Sequence, residues 1–470
     1  MFIILTEEET IMENNISVSQ QAAPGSTELK RVLGLPRLVA QGLAYLCPAC
    51  VLLYYGIINA MTNGNFVISL LFAGFAMSLT AFSYAKMCRR YPVAGSVYSY
   101  VSKSIGPKLG FMAGWVMMLD YFLLPMACYL SLGLYLNIMF PAVPVWAWII
   151  IGVLFCSACN YFGVGISSII NSVNVVAPIL ALIATYICIV VYVTGGGGEG
   201  TLFASRAFVD PSTFQIAPVM TGAAIMAVVF VGFDSVTTYS EETINPEKTM
   251  PKAVVIICIG AAIEFVITAY LMNLGWPWSE SAGVLSNPDT AITEYNEHIN
   301  MAWMNPIFIV INTLACVGCC VAGQGATSRI LLAMGRDGFI PTRFFGYVHP
   351  RWQTPSRNIL LSAAVGLCAV FFQDSLTNAM SLVSFGAISG FILTNICVIA
   401  RFWVKDHQRG AKNLLRYVII PAAAACICIY LWFNLTLAGK IVGFSWLALG
   451  VVFLAIKTKG FKEMPPELDL

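Results

Sequence analysis

Twelve stretches of helical length along this 470-residue chain carry almost nothing but apolar side chains. They lie at about 36–60, 66–85, 110–139, 145–161, 168–193, 216–240, 252–275, 305–333, 358–373, 377–402, 416–436 and 441–456. About 20 apolar residues suffice for a helix to span the ~30 Å hydrocarbon core of a bilayer. Within that core only helices and closed barrels satisfy the backbone, and windows of this length select the helix. Charged residues make up 10% of the chain, against about 25% in a soluble domain. The expected fold is an all-α polytopic membrane protein with twelve transmembrane helices.

Positive charge sets the direction of threading, because cytoplasmic loops retain Lys and Arg. With the N-terminus inside, Lys30, Arg31 and Arg37 precede or open the first window, and Lys86, Arg89, Arg90, Lys103 and Lys108 follow the second. Lys248 and Lys252 follow the sixth, and Arg329, Arg336, Arg343, Arg351 and Arg357 surround the end of the eighth. Arg401, Lys405, Arg409, Lys412 and Arg416 follow the tenth, and Lys457, Lys459 and Lys462 lie in the tail. Of 25 basic residues only Arg206 and Lys440 fall outside this set. An error of one window would scramble the partition, so both termini are expected in the cytoplasm. The opposite face holds Glu199, Asp210, Glu280, Asp289, Glu294, Glu297 and Asp374. Its negative excess attracts cations within a Debye length of about 8 Å, although acidic loops are also ordinary solvated surface. Phe2-Ile-Ile-Leu5 is too short for a signal-peptide core and precedes Glu7-Glu-Glu9, so no cleavable signal is expected. Residues 1–34 read as a disordered cytoplasmic segment.

Two windows are interrupted in the middle. In Gly42-Leu-Ala-Tyr-Leu-Cys-Pro48, the proline removes a helix hydrogen bond and clashes with the preceding turn. In Val231-Gly232-Phe233-Asp234, a glycine weakens the helix by about 1 kcal/mol relative to alanine and a carboxylate follows at membrane depth. An acid there costs roughly 2.5–3.5 kcal/mol unless it faces a cavity or a partner. Broken helices at corresponding places in two halves point to an inverted repeat with a site at its centre. The expected halves are 35–195 and 216–402, joined by an outer loop at 196–215. Residues 403–456 add two further helices, and 457–470 form a cytoplasmic tail.

Three motifs occur in order along the chain. Tyr91-Pro-Val-Ala-Gly-Ser-Val-Tyr98 continues through Gly106-Pro107 to Gly110-Phe-Met-Ala-Gly-Trp115. Gly232-Phe-Asp-Ser-Val-Thr-Thr is followed by Glu241-Glu242, Asn245-Pro246 and Met250-Pro-Lys252. Ser328-Arg329 precedes Met334-Gly-Arg-Asp-Gly-Phe-Ile-Pro341 and Val348-His-Pro350. Together they resemble the amino acid–polyamine–organocation (APC) superfamily across roughly 35–460. Gly42-Leu-Ala-Tyr-Leu46, Leu119-Asp-Tyr-Phe-Leu-Leu-Pro125 and Phe344-Phe-Gly-Tyr-Val-His-Pro350 look most like bacterial putrescine importers. The resemblance implies a LeuT-type 5+5 inverted repeat with broken helices 1 and 6, alternating access and, in most members, proton coupling.

Asp234 follows the second break, where relatives place the acid nearest the substrate. It would pair with a substrate ammonium or titrate between states; the alternative is a structural acid bonded to freed backbone amides. Asp120 lies about ten residues into the third window, some 15 Å along a helix and near the midplane; it is either a site residue or a protonated packing acid. Glu264 lies outside the family signature and reads as structural. No Lys or Arg lies deep in a window, so the buried ionisable groups are expected to be acidic, as a cationic substrate requires. Tyr45, Tyr121, Phe230 and Phe233 stand near the breaks with Gly232; aromatic faces attract alkylammonium groups by about 0.5–2 kcal/mol, and they also pack. Tyr45 and Phe230 are singled out because they adjoin the breaks. Glu241 and Glu242 are expected to form an inner gate with Arg329 as a candidate partner. Thr327 and Ser328 are polar enough to reach the cavity and keep Na⁺ coupling open. The fifth window offers Asn171 and Asn174 rather than the Lys that some proton-coupled relatives use.

The expected function is secondary active import of a small cationic metabolite, putrescine or a related polyamine, by proton symport. The partners are that substrate, the proton and the lipid bilayer of a bacterial inner membrane. An amino acid permease, coupled to H⁺ or Na⁺, is the rival. Pro48 removes one of the amides that an α-carboxylate would use at the first break, which favours the diamine. A channel would need a continuous polar pore and a filter; an enzyme would need a nucleophile–base pair or a metal. Neither pattern is visible, and no metal, cofactor or nucleic acid is expected. The 15 Cys read as packing residues, and His298, His349 and His407 fall in loops. The topology is open to direct test: single cysteines introduced across 279–300 are expected to label from outside intact cells, and labelling only from within would overturn the orientation.

Overall fold

The computed structural model describes residues 31–459 except 94, 286–290, 373–375 and 436. Of the segment 1–34 expected to be disordered, residues 1–30 lie outside the described residues, as do most of the tail, Lys462, Ala94, Asp289 and Asp374, whereas Val32 and Leu33 are fixed by backbone bonds to Glu242 and Leu33 is buried. Apart from the two interrupted windows, 36–60, which splits into two helices, and 216–240, whose α-helix stops at Val229, the apolar windows become helices whose ends lie within about six residues of the sequence reading. In chain order these are α1 (Leu35–Leu46), α2 (Tyr55–Thr62), α3 (Phe66–Arg90), α4 (Val97–Ser104), α5 (Pro107–Met139), α6 (Val145–Tyr161), α7 (Val164–Thr194) and α8 (Ile216–Val229). There follow α9 (Pro246–Gly275), α10 (Ala291–His298), α11 (Asn305–Arg336), α12 (Ser356–Leu367), α13 (Leu376–Val398), α14 (Ile420–Phe433) and α15 (Leu437–Lys457). The connector helices α4 and α10 carry too little apolar periodicity to stand out in the sequence. Among the described residues the only extended pairing is an isolated parallel bridge between Leu33 and Thr243.

Nine of the described helical stretches are long and apolar enough to cross a membrane. Val145–Tyr161, Ile216–Val229 and Ser356–Phe371 are shorter apolar helices, two of them cut short where regular α-helix gives way to a turn or a 3₁₀ segment. Large apolar side chains line the outside: Leu154, Val191, Phe433 and Ile456 are all more than 60% exposed. A surface of this kind needs hydrocarbon rather than water around it.

The helices pair in a regular way. α3 packs along α9, α5 along α11, and α6 along α12. α1 lies against α7 and α11, and α13 against α5. Each of the first three pairings joins a helix of the first half to the one five windows later.

The two interruptions meet. Pro48 disfavours an α conformation for its predecessor, and Cys47 takes a left-handed one, with φ of 56°. α1 stops at Leu46, and a 3₁₀ segment, Pro48–Tyr54, carries the chain to α2. In the second half α8 stops at Val229, Gly232 takes φ of +134°, and a 3₁₀ segment runs from Ser235 to Glu242. A Cβ on Gly232 would stand 2.7 Å from Leu46 N and 3.0 Å from Gly42 O; one on Gly42 would stand 2.8 Å from a Val236 methyl. Only hydrogens at both positions let the two breaks touch. Beyond them the chains are clasped again: Val32 N and Leu33 N both donate to Glu242 O at 2.9 Å, and Ile244 N donates to Leu33 O at 2.9 Å.

Gly232→Ala forces a side chain onto a left-handed backbone and onto the backbone of α1. The expected loss is about 1–3 kcal/mol from the dihedral alone. Gly260→Ala, in α9 with nothing within 4 Å of the added carbon, is expected to stabilise by about 0.5–1 kcal/mol. Thermal unfolding of the two purified variants, which should move in opposite directions, checks this.

Candidate functional site

The second break builds its own scaffold of hydrogen bonds. Gly232 N donates to Asp234 Oδ1 at 3.2 Å, and Ser235 Oγ donates to Gly232 O at 2.8 Å. Thr237 Oγ1 donates to Asp234 O at 2.7 Å and Thr238 Oγ1 to Ser235 O at 2.7 Å. Small hydroxyl residues thus serve backbone groups that a broken helix leaves open. Asp234, fully buried, keeps its second oxygen for another element: Tyr121 OH on α5 donates to Oδ2 at 2.7 Å. It therefore caps the break and also faces the interior, so both readings of this residue have a structural counterpart.

Asp120 stands beside Tyr121 on α5, fully buried and within Coulombic reach of Asp234. Neither of its oxygens has a hydrogen-bond partner among the described residues. The local frame of α5 depends on Pro125, which has no N–H to give to the carbonyl four residues back. That carbonyl belongs to Tyr121, and Thr327 Oγ1 of α11 reaches it at 2.7 Å while lying 2.8 Å from Gly323 O of its own helix. Thr327 thus pins α11 to α5 next to the acids. Ser328 Oγ instead donates to Gly325 O at 2.8 Å within α11.

Aromatic rings close two sides. The Tyr45 ring stacks on Tyr121 with centroids 6.1 Å apart, admitted by Gly323, where an added Cβ would lie 2.4 Å from the ring. Phe233 stacks on Phe391 of α13 at 5.3 Å, and Tyr84 of α3 stands edge-on to both, at 5.5 and 6.1 Å. The hydroxyl of Tyr45 is buried without a partner among the described residues, whereas that of Tyr84 faces the Thr394 hydroxyl. Tyr84 and Phe391 are members that the sequence reading missed; each is one more aromatic in an apolar helix, and no motif marks it. Phe230 goes the other way. Its ring meets Phe265 of α9 at 5.1 Å and lies against Gly74 of α3, so its place beside the break does not bring it to the acids.

A charged pair joins the segment after the second break to α11. Arg329 Nε donates to Glu242 Oε2 at 2.5 Å and its Nη2 to Oε1 at 2.8 Å, with both side chains almost wholly buried. Burial of Arg329 corrects the expectation that buried ionisable groups are all acidic: this guanidinium is admitted because it is neutralised in place. It also lies over the Tyr239 ring, 4.0 Å from the centroid, and donates to Gly325 O at 2.6 Å. Tyr239 OH donates to Ala322 O at 3.0 Å and accepts from Gln41 Nε2 at 2.7 Å; Gln41 Oε1 in turn accepts from Asn171 Nδ2 at 3.0 Å. Glu241 takes a different partner, Arg336 at 2.8 Å, on a surface-accessible rim.

Neutral groups join α2 to the end of α9 and the residues that follow it. Tyr55 OH donates to Trp276 O, and Asn59 Nδ2 donates to Asn273 Oδ1 at 2.9 Å. Trp276 stacks on His298 at 4.4 Å, and burial holds that imidazole below the ordinary histidine range while Glu280 opposes the shift. Glu264, in α9, accepts from Thr268 Oγ1 at 2.7 Å and Tyr186 OH at 3.2 Å, away from the aromatic cluster. Among the described residues no group of three or more His, Cys, Asp or Glu is arranged to hold a metal ion.

A family model described as amino acid permease matches residues 39–458. The chain is 34% identical over 456 residues to the low-affinity putrescine importer PlaP of Escherichia coli K12, covering 96% of this chain and 99% of the relative. It is 26% identical over 474 residues to the branched-chain amino acid permease BcaP of Bacillus subtilis, covering 94% and 96%. It is 28% identical over 435 residues to the vacuolar cationic amino acid transporter 2 of Arabidopsis thaliana, covering 85% of this chain and 64% of that protein.

Removing one partner of the buried pair leaves the other charge stranded, at a cost of about 3–5 kcal/mol. Arg329→Gln and Glu242→Gln are each expected to lose stability on that scale, and the double substitution less than the sum. A double-mutant cycle on purified protein, read by thermal unfolding, measures the coupling; strict additivity would show that the two side chains are not coupled.

Proposed function

The chain belongs to the amino acid permease family, in the APC superfamily, and on that premise we propose that it imports putrescine or a related small polyamine by proton symport. The observation that carries the reading is the pair of buried carboxyls, Asp120 and Asp234, faced by Tyr45, Tyr84, Tyr121 and Phe233 with no base among them. Arg329, the buried base, is already spent on Glu242. A cation brings the charge such a site lacks, and the surrounding faces attract alkylammonium groups. The activity named for the Escherichia coli relative supports the same choice.

The proposed architecture is twelve transmembrane helices in a bacterial inner membrane with both termini cytoplasmic. Residues 35–195 and 216–402 form two inverted five-helix repeats of LeuT type, followed by two helices. The pairing of α3 with α9, α5 with α11 and α6 with α12, and the meeting of the two breaks, support that arrangement. Alternating access would then part the Arg329–Glu242 closure in one state and the Tyr55–Trp276 and Asn59–Asn273 closure in the other. An amino acid permease is the second reading, favoured by the names of two of the relatives. Against it, Pro48 offers no amide at the first break, and Cys50 N is used by Cys47 O at 2.9 Å.

Uptake is expected to rise when the outside is made more acidic than the inside and to collapse with a protonophore; dependence on a Na⁺ gradient would move attention to Thr327 and Ser328. Asp234→Asn keeps shape and hydrogen bonding but carries no charge. It is expected to weaken diamine binding by about 1.5–3 kcal/mol, some 10- to 150-fold, and to abolish gradient-driven accumulation in liposomes. Wild-type affinity and accumulation in monodisperse Asp234→Asn would sink the assignment.

A further inference from the structure

The two buried acids are not equivalent. Asp234 is held by Gly232 N and Tyr121 OH, whereas neither oxygen of Asp120 has a partner among the described residues. Neither protonation state resolves this. The carboxylate lacks donors, and the neutral acid would bury an O–H lacking an acceptor; buried polar groups in native proteins find partners. One further polar atom beside the Tyr45–Tyr121 stack has no partner among the described residues, the hydroxyl of Tyr45. Tyr45 and Tyr84 lie within Coulombic reach of both acids, and the Tyr45–Tyr121 stack and the Tyr84–Phe233–Phe391 group stand on either side. Polar groups that the protein leaves unsatisfied together, among aromatic faces, are groups completed by a ligand.

We infer that Asp120 is the second pole of a two-headed site, in which Asp234 takes one ammonium of a short diamine and Asp120, with the Tyr45 hydroxyl, takes the other. The inference rests on the import reading above and makes the substrate class narrower: a dication with its charges at the two ends of an alkyl chain. An α-amino acid, whose ammonium and carboxylate share one carbon, leaves the second carboxyl uncompensated.

The test is binding to purified full-length protein, with 1,4-diaminobutane and 1-butylamine as probes. Wild type is expected to prefer the diamine by at least tenfold. Asp120→Asn should lower diamine affinity by about 10- to 150-fold and leave butylamine affinity within about twofold, while Asp234→Asn lowers both. Equal losses for both amines in Asp120→Asn, or none, would overturn the two-pole site. Should Asp120→Asn not fold, N-acetyl-1,4-diaminobutane on wild type replaces it: the chain length stays, one charge goes, and binding should drop at least tenfold. Unchanged binding of the acetylated amine would also overturn the inference. If wild type binds neither amine but binds leucine, the import reading itself fails, an outcome distinct from diamine binding that ignores Asp120.

Discussion

The structure turns on the backbone contact between the two broken elements, at Gly42 and Leu46 on one side and Gly232 on the other. A broken helix in an apolar interior exposes amides and carbonyls that no solvent can satisfy. Here the second break satisfies much of its own backbone, and glycine lets the first lie against it. Gly232 lets Leu46 approach, Asp234 takes the amide of Gly232, and the hydroxyls of Ser235, Thr237 and Thr238 return to carbonyls of the same turn. With the breaks fixed against one another, α5 is brought alongside, and its Tyr121 meets Asp234. The proline that weakens α5 at this level is answered by Thr327 from α11. Acids, aromatics and supporting hydroxyls are thus placed by how irregular backbone is made tolerable.

Much of this is legible in the sequence, because the features that break a helix are chemical and local. Pro48 and the Gly232–Asp234 run mark the interruptions, and the uninterrupted apolar windows give the helix boundaries to within about six residues. Direction is harder. Residues on a helix turn by about 100° per position, so adjacency to a break says little about where a ring points. Phe230 and Phe233 flank the same break; one reaches Phe391 and the acid side, the other Phe265 and α9. Tyr84 and Phe391 carry no mark at all, since a ring in an apolar helix fits packing as well as recognition. Pairing among charges is likewise tertiary. Nothing in Glu241-Glu242 says that the second residue takes Arg329 and the first takes Arg336, a choice set by which carboxyl the 3₁₀ segment turns inward.

Under the proposed alternating access, the two ends would be closed by different physics. Arg329 and Glu242 form a bidentate pair out of water, where parting them without solvent would be prohibitive. Such a closure opens only as water or a counter-charge enters. Tyr55, Asn59, Asn273 and Trp276 close the other end with neutral hydrogen bonds and stacked rings, which water can replace one by one at lower cost. One closure is all-or-none and the other gradual.

The clasp between Val32, Leu33 and Ile244 and the backbone around Glu242 has a mechanical meaning. It joins the start of α1 to the end of the 3₁₀ segment, while Gly42 and Gly232 bear on one another further in. Fastened at one end and in contact at the breaks, α1 and the Ser235–Glu242 segment form a single lever with its fulcrum where Cys47 and Gly232 leave helical geometry. Under the proposed alternating access, force applied at the Arg329 end would reach both segments in phase, and neither arm would swing alone unless the clasp were torn.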